Sequence, residues 1–313
     1  MDVTLVATSV AVMGFMIAIG FFFAMKVPIT AEVKNAFILI VLNIAVPAII
    51  LDGIFTTDVT DELFTDALLI FAISVVFHLA ALLISWTAVK LLGFDSLFAK
   101  KMAVLAALGN AGFIGIPLSA VIFGPVGGLL AAVFNAGLDL VIFTVVIYML
   151  QSGSGLPVRK VAKSLANMPL MAVIAGFIVA LTGFSPPEFL SQLTGHLAGL
   201  AAPLSMVYIG ILLHHLFLKS GLALYRLIWL PVSLRLIIFP VLIMLVLSFT
   251  PLNDSLRHLV IILAAMPTFT LSAIIFGRYL PDGSEDTAVI TIAASTLLSL
   301  ATIPFIAFLS SVF

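Results

Sequence analysis

Ten stretches of roughly twenty residues, almost free of charge, alternate along the chain with short segments that hold nearly all of its ionisable side chains. They run over 3–25, 35–55, 66–90, 99–123, 127–150, 168–184, 197–218, 227–249, 257–277 and 287–311. A hydrocarbon core about 30 Å thick needs about 20 apolar residues in helix to cross it, so each stretch predicts a membrane span. Helix is required, because an open strand in lipid leaves backbone groups unpaired and none of these runs shows the alternation of a barrel strand. Residues 3–25 exceed the usual apolar core of a signal peptide, about 7–15 residues, and no small-residue cleavage pattern follows, so they read as a retained first span.

Basic residues set the orientation. Segments after odd-numbered spans hold Lys26, Lys34, Lys90, Lys100, Lys101, Arg159, Lys160, Lys163, Lys219, Arg226 and Arg278, which is 11 of the 13. Segments after even-numbered spans hold only Arg257, and there Asp58, Asp61, Glu62, Asp66, Glu188 and Asp254 cluster. The positive-inside rule therefore puts the odd-numbered connections in the cytoplasm and both termini outside. Residues 151–167, Gly/Ser/Pro-rich and then basic, predict a cytoplasmic loop between a first half (1–150) and a second (168–313). The separations from Pro47 to Gly109 and from Pro203 to Pro267, 62 and 64 residues, suggest that the halves are related. With five spans in each, a duplicated half inserts upside down, which gives an inverted repeat.

Composition agrees: 63% of the residues are hydrophobic and 9% charged, with a mean hydropathy of +1.36, outside the range of a soluble domain. A net charge of -1 and the lack of a basic run argue against nucleic acid. The chain has no cysteine, hence no disulfide or thiolate site. Neither a zinc signature, a paired aspartate motif nor an activated nucleophile is present, so no enzyme activity, metal or cofactor is expected.

The unusual chemistry lies inside the spans. Span four contains LGNAGFIGIPL (Leu108–Leu118), with Gly109, Asn110, Gly112, Gly115 and Pro117 in a helix interior. Each interior glycine costs about 1 kcal/mol and a proline about 3. Span nine carries LAAMPTFTLSAIIFG, where Pro267 interrupts the ladder and Thr268 and Thr270 can bond freed backbone groups. Both predict discontinuous helices. At 1.5 Å per residue, Gly109 lies about 15 Å and Pro267 about 16 Å from opposite faces, so the two breaks meet near the midplane. Half-helix N-termini there suit a carboxylate, and the opposite ends offer carbonyls to a cation. Asp139 and Asn135 share a face of span five at i, i+4, for a proton, a cation or a substrate group, or for a structural hydrogen bond. Arg235, about 13 Å into span eight, pairs with Asp139 or attracts an anionic substrate. Asn43 and Pro47 in span two shape a kink, and Gly195 and Gly199 form one GxxxG packing motif.

GNAGFIGIPL, AAMPTFTLSAIIFGRY, the PAII of span two and APLSMVYIG of span seven together resemble the auxin efflux carrier family. The resemblance covers essentially the whole chain and implies ten helices, with helices four and nine broken and crossing. It further implies a scaffold of spans one, two, six and seven, often dimeric, and a moving core of spans three to five and eight to ten. Plant members carry Pro-Asn at the first crossover; here Gly109-Asn110 keeps the asparagine alone. Asn135 falls where plant members have a glutamine, and Asp66 lies near a family acid tied to protons. The resemblance implies a bacterial plasma-membrane carrier of a small organic anion with its site at the crossover. Residue chemistry and resemblance together nominate Gly109, Asn110, Gly112, Pro267, Thr268, Thr270, Asn135 and Asn43 for the substrate and Asp139, Arg235 and Asp66 for ion coupling. Two rivals remain: a sodium- or proton-coupled symporter of bile-acid type, and a membrane receptor or scaffold.

Overall fold

The computed structural model describes residues 2–57, 60–151, 167–182, 186–220, 227–281 and 283–312. The regular elements among them are all helical: α1 Val3–Lys26, α2 Ala31–Phe55, α3 Asp61–Leu91, α4 Ser96–Ala107, α5 Ala111–Leu150, α6 Met168–Leu181, α7 Glu188–Ala198, α8 Ala201–Ser220, α9 Trp229–Ser248, α10 Asp254–Ala264, α11 Ser272–Tyr279 and α12 Ser284–Val312. Their starts follow ordinary capping rules: Thr60, Asp95, Asn167 and Asn253 accept the backbone N–H three residues on, satisfying donors that a helix N-terminus leaves free. Most of the predicted connector (152–166), together with Asp58 and Arg226, lies outside the described residues.

Seven helical stretches among the described residues are long and apolar enough to cross a membrane. The chain is thus a polytopic α-helical membrane protein. Its surface has the matching character. In α1, Val6, Val10, Met13, Ile17, Gly20 and Ala24 form a buried stripe at helical spacing, while Phe15 is 74% exposed and Phe22 61%. Apolar surface on this scale is solvated by lipid and would drive association in water.

Three helices are interrupted in one way. Proline has no N–H and crowds the carbonyl four residues back, so the ladder ahead of it is free to widen. π turns at Val41–Ala45, Ala111–Gly115 and Leu234–Ile238 each end two residues before a proline, namely Pro47, Pro117 and Pro240. In each, the next N–H reaches the carbonyl five residues back: Val46 to Val41, Ile116 to Ala111 and Phe239 to Leu234. The kink expected near Asn43 and Pro47 therefore takes the form of a wide turn. Such turns concentrate at functional sites, and Arg235 sits on the third.

The expected division between spans four and five falls at Gly124 (φ 74, ψ -174), a non-helical kink within α5 in a backbone region open almost solely to glycine. Expected span seven corresponds to α8, and the half-polar helix α7, which was not expected, precedes it and packs against the second half of α2 before the chain turns at Gly199 and Leu200.

Candidate functional site

Helix α4 stops at Ala107, where Leu108 adopts extended backbone angles, and α10 stops at Ala264, just ahead of Pro267. The two unwound segments lie against each other. Asn110 N–H donates to Pro267 O at 2.7 Å and Phe269 N–H to Leu108 O at 2.9 Å, so that Gly109 and Thr268 form an isolated antiparallel bridge. Residues 108–110 and 265–270 are all buried, so this pairing satisfies backbone groups that have no water to bond.

Side chains extend the pairing. The Asn110 amide donates to the Thr270 hydroxyl, and its Oδ1 accepts the Phe113 N–H at 3.3 Å, capping the half-helix that opens α5. Thr268 Oγ1 donates to Leu105 O at 3.1 Å, and the Thr268 N–H donates to Ser295 Oγ of α12, also at 3.1 Å. Gly112 lies beside Asn135: a Cβ on Gly112 would stand 3.3 Å from Asn135 Oδ1, a buried oxygen with no hydrogen-bond partner.

Arg235 enters the crossover from α9 and is fully buried. Nε donates to Met266 O at 2.8 Å, one Nη to Ala107 O at 2.8 Å and the other to Ala264 O at 3.0 Å. The guanidinium thus bonds the carbonyl ends of both α4 and α10, with its carbon 5.8 Å from the centre of the Phe77 ring. Gly109 makes room for it, since a Cβ there would stand 2.1 Å from an Arg235 nitrogen. The predicted pairing of Arg235 with Asp139 is not formed. Asp139 instead accepts from Asn135 Nδ2 at 3.3 Å and Asn167 Nδ2 at 2.9 Å, amide donors that satisfy a half-buried carboxylate without a guanidinium.

Other predicted residues lie elsewhere. Asn43 is exposed on the π turn of α2 and makes no hydrogen bond to the crossover. Asp66 accepts from Asn253 Nδ2 at 3.3 Å and lines a separate 560 Å³ cavity with Glu62 and Asp254. Gly195 and Gly199, predicted to pack, line a 220 Å³ cavity with Asp52. Sequence reasoning missed Ser295 and Asn167. The N-cap pattern ahead of Met168-Pro169 marked Asn167 as a helix start, whereas nothing in the serine- and threonine-rich α12 singled out Ser295.

Long apolar helices around a pair of interrupted ones, with the buried crossing built from paired backbone, define a polytopic membrane protein. Comparison with known proteins narrows this. Residues 5–161 match the family described as membrane transport protein, and a protein of Methanothermobacter thermautotrophicus described as an uncharacterised transporter is 30% identical over 268 residues, 85% of each chain. A Rhizobium meliloti protein whose name proposes malonate transport is 29% identical over 205 residues, 63% of this chain and 62% of the relative. The chain belongs to this transporter family, that of the auxin efflux carriers.

Proposed function

We propose that the chain is a secondary transporter which moves small organic anions across a bacterial plasma membrane by alternating access, with its site at the crossover of the two interrupted helices. The observation that carries this reading is the buried strand-like pairing of Gly109 with Thr268, which leaves the start of a new helix on the far side of each break. In that reading α4 with the first part of α5, and α10 with α11, are the fourth and ninth of ten spans in an inverted repeat. Residues 1–150 and 168–313 are its halves, joined by the cytoplasmic segment 151–167, and both termini lie outside. Helices α1, α2, α6, α7 and α8 serve as a dimeric scaffold against which the others rock. The carboxylate is held by the Asn110 amide, the Thr270 hydroxyl and backbone N–H groups near Gly109 and Gly112, and the unpartnered Asn135 oxygen faces the same half-helix. Pro267 and Thr268 shape the break beside it, the Thr268 hydroxyl and N–H being bonded to Leu105 and Ser295.

Uptake of radiolabelled malonate into proteoliposomes tests it; the Rhizobium relative motivates the probe. A hydrogen bond to a charged group contributes about 1.5–3 kcal/mol, so Asn110→Ala is expected to lower flux roughly 10- to 100-fold, and Pro267→Ala to lower it as well. Wild-type flux in both variants would remove the crossover from the mechanism. One observation favours proton coupling as a second reading: the Asp139 carboxylate, held by the amides of Asn135 and Asn167, sits beside the residue that faces Gly112. Flux driven by an imposed pH gradient in wild type, and no longer driven in Asp139→Asn, separates proton symport from uniport.

A further inference from the structure

A helix C-terminus leaves its last carbonyls without partners and carries roughly half a negative charge. Interrupted transporter helices bring two such ends together inside the membrane, and there carbonyl clusters commonly hold a coupling cation. In this chain that place is taken. Ala107 O belongs to the end of α4, while Ala264 O and Met266 O belong to the end of α10 and the turn beyond it, and all three accept from one guanidinium at 2.8–3.0 Å. Arginine keeps its charge in proteins, and its planar fork can serve several acceptors at once. Among the described residues no carboxylate lies within salt-bridge distance of Arg235, so its charge is balanced by the two helix ends.

We propose that Arg235 is the permanent counter-charge of the crossover, occupying the position of a coupling sodium ion, so that anion transport at this site runs without sodium. The inference rests on the transport reading above but adds the ion that the site does not use. About one positive charge set against two half-charges leaves the opposing half-helix N-termini unopposed, which makes the site selective for anions. Arg235 acts through the helix ends and does not itself touch substrate; it is a positioning residue. Gly109 belongs to the same device, because any side chain there would displace the guanidinium.

Malonate uptake is measured in sodium and in N-methylglucamine buffers, with melting temperature followed in detergent. Wild-type flux is expected to be equal in the two buffers, and Arg235→Lys, which keeps a charge but fewer donors, to retain sodium-independent flux. Arg235→Met is expected to lose at least tenfold. Arg235→Ala is expected to regain melting temperature on addition of millimolar guanidinium but not of N-methylglucamine, a response that lost packing alone would not produce. Sodium-dependent wild-type flux, or an Arg235→Met protein that matches wild type in flux and melting temperature, overturns the inference. If Arg235→Ala gives no monodisperse protein, the sodium comparison of wild type with Arg235→Lys decides. If wild type carries no carboxylate at all, the transport reading fails, and guanidinium rescue of the melting temperature still tests the counter-charge.

Discussion

Gly109 and Arg235 are one feature seen from two sides. The guanidinium reaches three carbonyls only because position 109 contributes no Cβ. Overpacking a buried site typically costs about 1–3 kcal/mol, and here it also unseats hydrogen bonds to a charge. Gly109→Ala is therefore expected to lower the melting temperature and to cut flux at least tenfold, whereas Gly277→Ala, with nothing within 4 Å of its added carbon, leaves both near wild type. Thermal unfolding followed by proteoliposome flux makes the comparison. Glycine and asparagine in a span interior were plain signs of a break. The partners of Arg235 were not legible, because backbone carbonyls are the same at every position and a sequence does not say which of them a long side chain will meet.

Among helices, the decisive property is where each ladder is interrupted. Prolines 47, 117 and 240 each follow a π turn, and the same type of turn that widens α9 also presents Arg235. Gly124 does a different job: a Cβ there meets nothing within 4 Å, but its φ of 74 is unavailable to most residues. Gly124→Ala is accordingly a test of backbone geometry alone. A destabilisation of about 1–3 kcal/mol is expected for forcing a side chain into that region, read as a lowered melting temperature with no clash to relieve. The breaks at Asn110 and Pro267 were visible as local composition. The separate helix α7 ahead of α8 was not, since it is half polar and its place depends on the surface of α2 that it covers.

For the protein as a body, the solvent is lipid, and the arrangement of charges decides which end faces which side. The absence of cysteine makes this directly measurable, because a single introduced thiol has no background. Thr60→Cys, Asn253→Cys and Ser311→Cys are expected to react with a membrane-impermeant maleimide on intact cells, and Ser96→Cys only after permeabilisation. The reverse pattern would invert the orientation, and a mixed one would break the span count. The scaffold and core division belongs to this scale too, and cross-linking of single cysteines on α1 or α8 between copies tests the dimer.

Membrane residence, helical class and the two break points could be read from the chain alone, because hydrocarbon imposes a strict rule: apolar length for crossing, and internal hydrogen bonds for every backbone group. Residues that violate the rule stand out one by one. Folding in three dimensions chose the partners: Thr268 beside Gly109, Asn167 rather than Arg235 for Asp139, and Arg235 on the ends of two helices. Those choices depend on contacts between positions up to 163 residues apart, where side-chain identity limits what can bond but packing determines what is near enough to do so.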